Sequence, residues 1–146
     1  MILNGPMPRI LLVEDDRGVR EALRDLLTES DFDVVGEAGN GHEGVQLALE
    51  LDPDVVLMDL RMPVMGGLEA TRQIKDRRPG IRVVILTAYD DPALKEGAAE
   101  SGVYAYLVKG CPPRLVGEVT LKAWEAKRST EPPTAPEPSR GGRPDR

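Results

Sequence analysis

Five polar side chains stand at the ends of short apolar runs. Asp15 and Asp16 follow Ile10-Leu11-Leu12-Val13, Asp59 follows Val55-Val56-Leu57-Met58, Thr87 follows Val83-Val84-Ile85-Leu86, and Lys109 follows Leu107-Val108. Taken singly, each has an ordinary explanation. An Asp after a strand is commonly a helix N-cap, a Thr there forms turns, and a Lys there is a solvated cation. Together they describe a site. Three carboxylates in one place repel one another, and a divalent cation relieves that repulsion; hard oxygen ligands with positions left for water suit Mg²⁺. Asp59 differs from the other two because an ionised carboxylate ending an apolar run is costly to leave unpaired. A lysine ammonium and a threonine hydroxyl at the same rim can hold the oxygens of a transferred phosphoryl group by positioning and charge neutralisation.

The elements that must bring these residues together are read from hydrophobic periodicity. The apolar run within Arg9 to Glu14 predicts a strand, and Val19, Ala22, Leu23, Leu26 and Leu27 recur at helical spacing after it. A second strand spans Asp33 to Ala38, and Asn40 with Glu43 forms a capping box that opens a helix ending at Leu51. The third strand is Asp54 to Asp59, followed by a helix from Gly67 that Pro79 and Gly80 stop. Ile81 to Leu86 is the fourth strand; Asp91 as N-cap and Pro92 at the first helical position open the fourth helix. That helix has Leu94 and several alanines for its apolar face and carries Gly97 and Gly102, so it is expected to be the least firmly held. Val103 to Val108 is the fifth strand, and Pro113 opens the last helix. Strands apolar on both faces and separated by helices imply a parallel sheet covered on both sides, with functional groups at the carboxyl ends of the strands.

Composition narrows the function. The chain has 146 residues and a formal net charge of -6. From Arg128 onward, four arginines against three acidic residues give +1, so the first 127 residues carry -7. Nucleic-acid backbones and anionic lipid both demand clustered positive charge, which the sequence lacks. No apolar run approaches the length of a membrane span, and the single cysteine, Cys111, suits a reducing compartment; the expectation is a cytoplasmic protein. Residues 128–146 contain five prolines and two glycines without one large apolar side chain, which predicts a disordered tail or linker. The domain reading is an N-terminal extension over 1–7, a folded unit over 8–127 and the Pro-rich tail.

The stretches Ile-Leu-Leu-Val-Glu-Asp-Asp at 10–16, Val-Val-Leu-Met-Asp-Leu-Arg-Met-Pro-Val-Met-Gly-Gly at 55–67, Val-Ile-Leu-Thr-Ala at 84–88 and Ala-Tyr-Leu-Val-Lys at 105–109 resemble, in order and spacing, the receiver domain of two-component response regulators. The resemblance runs from about Pro8 to Lys127. It implies an α/β flavodoxin-like fold of five strand-helix pairs, a three-layer sandwich whose parallel sheet has the order 2-1-3-4-5. It implies that Asp59 accepts a phosphoryl group from a sensor histidine kinase or a histidine phosphotransfer protein. Mg²⁺ would be bound by Asp15, Asp16, Asp59 and the backbone carbonyl of Arg61. Lys109 and Thr87 would contact the phosphoryl group, and Thr87 and Tyr106 would switch the surface of the fourth helix, fifth strand and fifth helix, through which a homodimer would form. Such a module promotes its own phosphorylation and dephosphorylation and is not a multiple-turnover enzyme.

The alternative is the receiver part of a DNA-binding transcriptional regulator whose C-terminal helix-turn-helix domain is absent from this chain; nothing in these 146 residues could itself read DNA. An aspartyl-nucleophile phosphatase is disfavoured because Arg61 stands where those enzymes carry a second Asp. A flavin module is disfavoured because the loop from Glu14 to Asp16 would repel a flavin phosphate. Two departures from the receiver pattern stand out. Gly110 replaces a proline that commonly follows the lysine through a cis bond, a geometry that costs roughly 2.5 to 4 kcal/mol without proline. Met65 replaces the Asp or Asn that usually precedes the glycine capping the third helix.

Overall fold

A computed structural model describes residues 6–130; the Pro-rich stretch beyond Thr130 and the first five residues lie outside the described part. Five strands alternate with five helices: β1 (Arg9–Val13), α1 (Arg17–Glu29), β2 (Asp33–Ala38), α2 (Gly41–Leu51), β3 (Val55–Met58), α3 (Gly67–Arg77), β4 (Arg82–Thr87), α4 (Pro92–Glu100), β5 (Ala105–Val108) and α5 (Pro113–Thr130). All strand pairs are parallel, in the order β2-β1-β3-β4-β5.

Because side chains alternate across a strand, each strand contributes to two cores. Ile10, Leu12, Val55, Leu57, Val84, Leu86 and Leu107 point to one face, where Leu27 of α1 and Val116 and Ala123 of α5 cover them. Leu11, Val13, Val56, Met58, Val83 and Ile85 point to the other, under Val45 and Ala48 of α2, Ala70 and Ile74 of α3 and Ala98 of α4. Each fully buried aliphatic side chain contributes about 1.5–3 kcal/mol of transfer free energy, so the two-sided burial fixes strand register firmly.

The helix ends follow the sequence. Asn40 accepts the Glu43 amide at 2.9 Å, and Glu43 returns a carboxylate to the Gly39 amide at 2.8 Å. Asp91 accepts the amides of Ala93 and Leu94 at the start of α4. Gly66 is the N-cap of α3 and, having no side chain, leaves that helix without a side-chain cap. In α4 Ala98 alone is fully buried. Trp124 packs beside the α1/α5 core, and Arg128 stacks on its ring at 4.7 Å.

Candidate functional site

The same alternation sorts the polar residues at the carboxyl ends of the strands. Glu14 continues the series Ile10, Leu12; Asp59 continues Val55, Leu57; Lys109 continues Ala105, Leu107. These three therefore rise on the α1/α5 side of the sheet. Thr87 continues Val83, Ile85, and Tyr106, one residue out of step with Leu107, packs against the opposite core. The β1–β3 register carries the pairing one step further, with the Asp59 amide donating to the Val13 carbonyl at 3.0 Å.

Lys109 is the hub. Its Nζ donates to Glu14 Oε1 at 2.8 Å and to Asp59 Oδ2 at 3.1 Å. Both carboxylates are nearly covered: Glu14 is 3% exposed and Asp59 7%. The second oxygen of each is also held, Glu14 Oε2 by the Asp16 amide at 3.0 Å and Asp59 Oδ1 by the Leu60 amide at 2.7 Å. Burial pushes Glu14 above the ordinary carboxylate range, against the opposing pull of its bonds from Lys109 and Asp16. For Lys109, burial works to lower the ammonium, but its hydrogen bonds to Glu14 and Asp59 and their charges outweigh that and leave its pKa raised.

The carboxylates of Glu14, Asp15 and Asp59 bring oxygens within 4.8 Å of one another. Asp16, read with Asp15 as the pair beside Asp59, lies outside this group. The Asp16 carboxylate is engaged as the N-cap of α1, accepting the Val19 amide at 3.0 Å, and Glu14 takes its place in the cluster. Sequence reasoning treated Glu14 as the end of the strand and looked only at the residues after it. The signal that finds it is the period of two shared by Leu12–Glu14, Leu57–Asp59 and Leu107–Lys109.

Thr87, Arg61 and Tyr106 are not members of this cluster. Thr87 is fully buried and its Oγ1 has no hydrogen-bond partner. Arg61 is exposed, and its guanidinium lies over the Tyr89 ring at 4.6 Å. The Tyr106 hydroxyl donates to the Tyr89 carbonyl at 2.5 Å, while Lys95 Nζ stands 5.9 Å from the Tyr106 ring. After Lys109, the described residues contain no cis bond; Gly110 turns the chain with φ of 100°, in the left-handed region that a side chain disfavours.

An all-oxygen donor set of three carboxylates against one ammonium leaves a net negative pocket, which fits a hard divalent cation. The Thr87 hydroxyl, buried without a partner at the carboxyl end of β4, has a hydrogen bond left to give to an oxygen-bearing group. Residues 10–119 match the model of the response regulator receiver domain. The chain belongs to that family. The receiver is 43% identical over 104 residues to the transcriptional regulatory protein LnrK of Bacillus subtilis, covering 70% of this chain and 47% of that protein. It is 35% identical over 114 residues to the chemotaxis protein CheY of Thermotoga maritima, covering 78% of this chain and 95% of that one. A LuxR-family two-component response regulator from Aurantimonas superposes with a TM-score of 0.79 at 34% identity, covering 83% of this chain and 87% of that one. The receiver thus spans about half the length of the first of these regulators. Among the described residues, no helix is long and apolar enough to cross a membrane.

Proposed function

We propose that the receiver accepts a phosphoryl group on Asp59 from a phosphohistidine of a sensor kinase or histidine phosphotransfer protein, in the cytoplasm. The observation that carries this reading is the Lys109 ammonium bridging Asp59 and Glu14 in a nearly covered acidic pocket. In the transfer, a carboxylate oxygen of Asp59 attacks phosphorus, the donor's N–P bond breaks, and its imidazole leaves with the bonding pair. Glu14, Asp15 and Asp59 would hold Mg²⁺, with the Arg61 carbonyl as a further oxygen. The bound cation supplies charge neutralisation for the phosphoryl oxygens. Lys109 follows the new charge and pairs with a phosphoryl oxygen, and the Thr87 hydroxyl donates the bond it does not make in the free protein. As Thr87 moves, Tyr106 exchanges its bond to the Tyr89 carbonyl for an inward position. The surface of α4, β5 and α5 changes with it and takes a partner or a second copy of the chain. The receiver is thus a phosphoacceptor that assists its own phosphorylation, not a multiple-turnover enzyme.

Acetyl phosphate with Mg²⁺ tests this directly. Intact mass should rise by one phosphate, ~80 Da, and Asp59→Asn should abolish the gain; uptake by that variant at the unmodified rate would overturn the assignment. A second reading, a receiver that governs a DNA-binding output, draws on the names and greater length of the regulators it resembles. Reading the gene past codon 146 separates the two.

A further inference from the structure

The β1–α1 loop carries two neighbouring members of the acidic cluster, Glu14 and Asp15, and one side chain outside the cluster grips the peptide that joins them. Arg20, in the first turns of α1, donates from Nη1 to the main-chain oxygen of Glu14 at 2.7 Å and from Nε to Glu37 Oε1 of β2 at 3.1 Å. The second oxygen of Glu37 is taken by Arg24 Nη1 at 3.0 Å. The Glu14 amide, on the other side of that residue, donates to the Ala38 carbonyl next to Glu37.

A peptide is planar, so holding its oxygen fixes the orientation of the whole Glu14–Asp15 unit, and with it ψ of Glu14 and φ of Asp15. Those two angles decide where consecutive carboxylates point. Arginine suits the task because its planar fork can meet a carbonyl and a carboxylate at the same time, which a lysine cannot do with fixed geometry. Glu37 has a second effect. It pairs the guanidinium that lies against the loop, so that the grip adds no uncompensated positive charge next to a cation site.

We infer that Arg20, oriented by Glu37, is a positioning residue of the cation site: it sets the angle between the Glu14 and Asp15 carboxylates and so sets Mg²⁺ affinity. Arg20 touches neither the phosphoryl group nor the cation, and its effect passes through the Glu14 peptide. This inference rests on the reading of Glu14, Asp15 and Asp59 as the cation ligands. Arg24 provides the internal control, because it shares Glu37 but has Asp25, not the loop, as its other partner.

Mg²⁺ alone, titrated calorimetrically into the unphosphorylated chain at constant ionic strength, provides a readout independent of phosphorylation. Arg20→Gln should weaken Mg²⁺ binding about tenfold, the effect expected of a residue that orients a ligand. Arg20→Lys should weaken it by less, and Arg24→Gln should leave it unchanged, with the thermal midpoints of Arg20→Lys and Arg24→Gln close to that of the unmodified chain. Equal affinity in Arg20→Gln and the unmodified chain, or equal weakening in Arg20→Gln and Arg24→Gln, would overturn the positioning role while leaving the cation site standing. Absence of Mg²⁺ binding by the unmodified chain would overturn the cation reading itself, and this inference with it.

Discussion

At the amino end of the sheet, Asp54 accepts the Arg9 amide at 2.9 Å on one oxygen and Lys127 Nζ at 3.2 Å on the other, and Lys75 Nζ donates to the carbonyls of Pro79 and Ile81, both at 2.8 Å. At the carboxyl end, three carboxylates face a single ammonium, and the Thr87 hydroxyl is buried without a partner. The sheet is the same and the apolar layers run through both ends. What differs is the balance of charge: Asp54 faces an ammonium of its own at the amino end, whereas three carboxylates share one ammonium at the carboxyl end. Three carboxylates around one ammonium leave a negative charge that a cation from outside can balance. Glycines mark the same contrast. A β-carbon on Gly67 would stand 2.1 Å from the Asp59 carbonyl oxygen, whereas one on Gly80, in the turn before β4, would meet nothing within 4 Å.

The glycine contrast gives the largest expected effect. Gly67→Ala must push the backbone at Asp59 aside, so it should cost about 3 kcal/mol, as overpacking does, and slow phosphate uptake from acetyl phosphate. Gly80→Ala should stay within about 0.5 kcal/mol, as surface substitutions do. Urea unfolding of the two variants side by side checks this. Equal stability would mean that the close approach of α3 to the acceptor residue is not a constraint.

Asp54 tests the amino end. Asp54→Ala removes the acceptor of the Arg9 amide and a salt-bridge partner of Lys127, for a loss of about 1.5–3 kcal/mol, typical of a hydrogen bond to a charged group. Phosphate uptake should proceed at the unmodified rate. A slowed uptake in a folded variant would show that the two ends are coupled more tightly than the rigid apolar layers between them suggest.

The architecture was legible because it rests on periodicity. Runs such as Val55-Val56-Leu57-Met58 read as doubly buried strands, and caps such as Asn40 and Asp91 lie where side-chain chemistry favours them. The site was legible as a set of residue types at strand ends, but not which neighbour of Asp15 stands with it and Asp59 in the carboxylate cluster. Asp16 and Glu14 are both acidic neighbours of Asp15, and composition cannot say which one turns inward. The strand's period of two decides it, since Glu14 continues the face of Leu12 while Asp16 has already left the strand to cap α1. Arg20 was not legible at all. Its bonds to the Glu14 carbonyl and to Glu37 join α1, the β1–α1 loop and β2, a meeting that exists only once β1 and β2 pair.

Glu14 offers the finest test of the contrast, because its effect is one of slope with pH. Burial, its largest influence, raises its pKa in the folded chain above the ordinary carboxylate range, with Asp59 adding to the rise and Lys109 and the Asp16 amide opposing it. A carboxyl group with a raised folded pKa favours the folded state most below its unfolded pKa, where it is protonated in both states. That contribution is lost as pH rises through the folded value, because the unfolded chain gives up its proton first. In the absence of Mg²⁺, the unmodified chain should therefore lose stability relative to Glu14→Gln from about pH 4.5 upward, and the two should stop diverging once Glu14 is ionised in both states. Unfolding midpoints in urea, measured from pH 4 to 8 with a chelator present, give the difference curve. A curve of the opposite sign would mean that Lys109 more than compensates the buried carboxylate, and that the carboxyl end is as well matched in charge as the amino end.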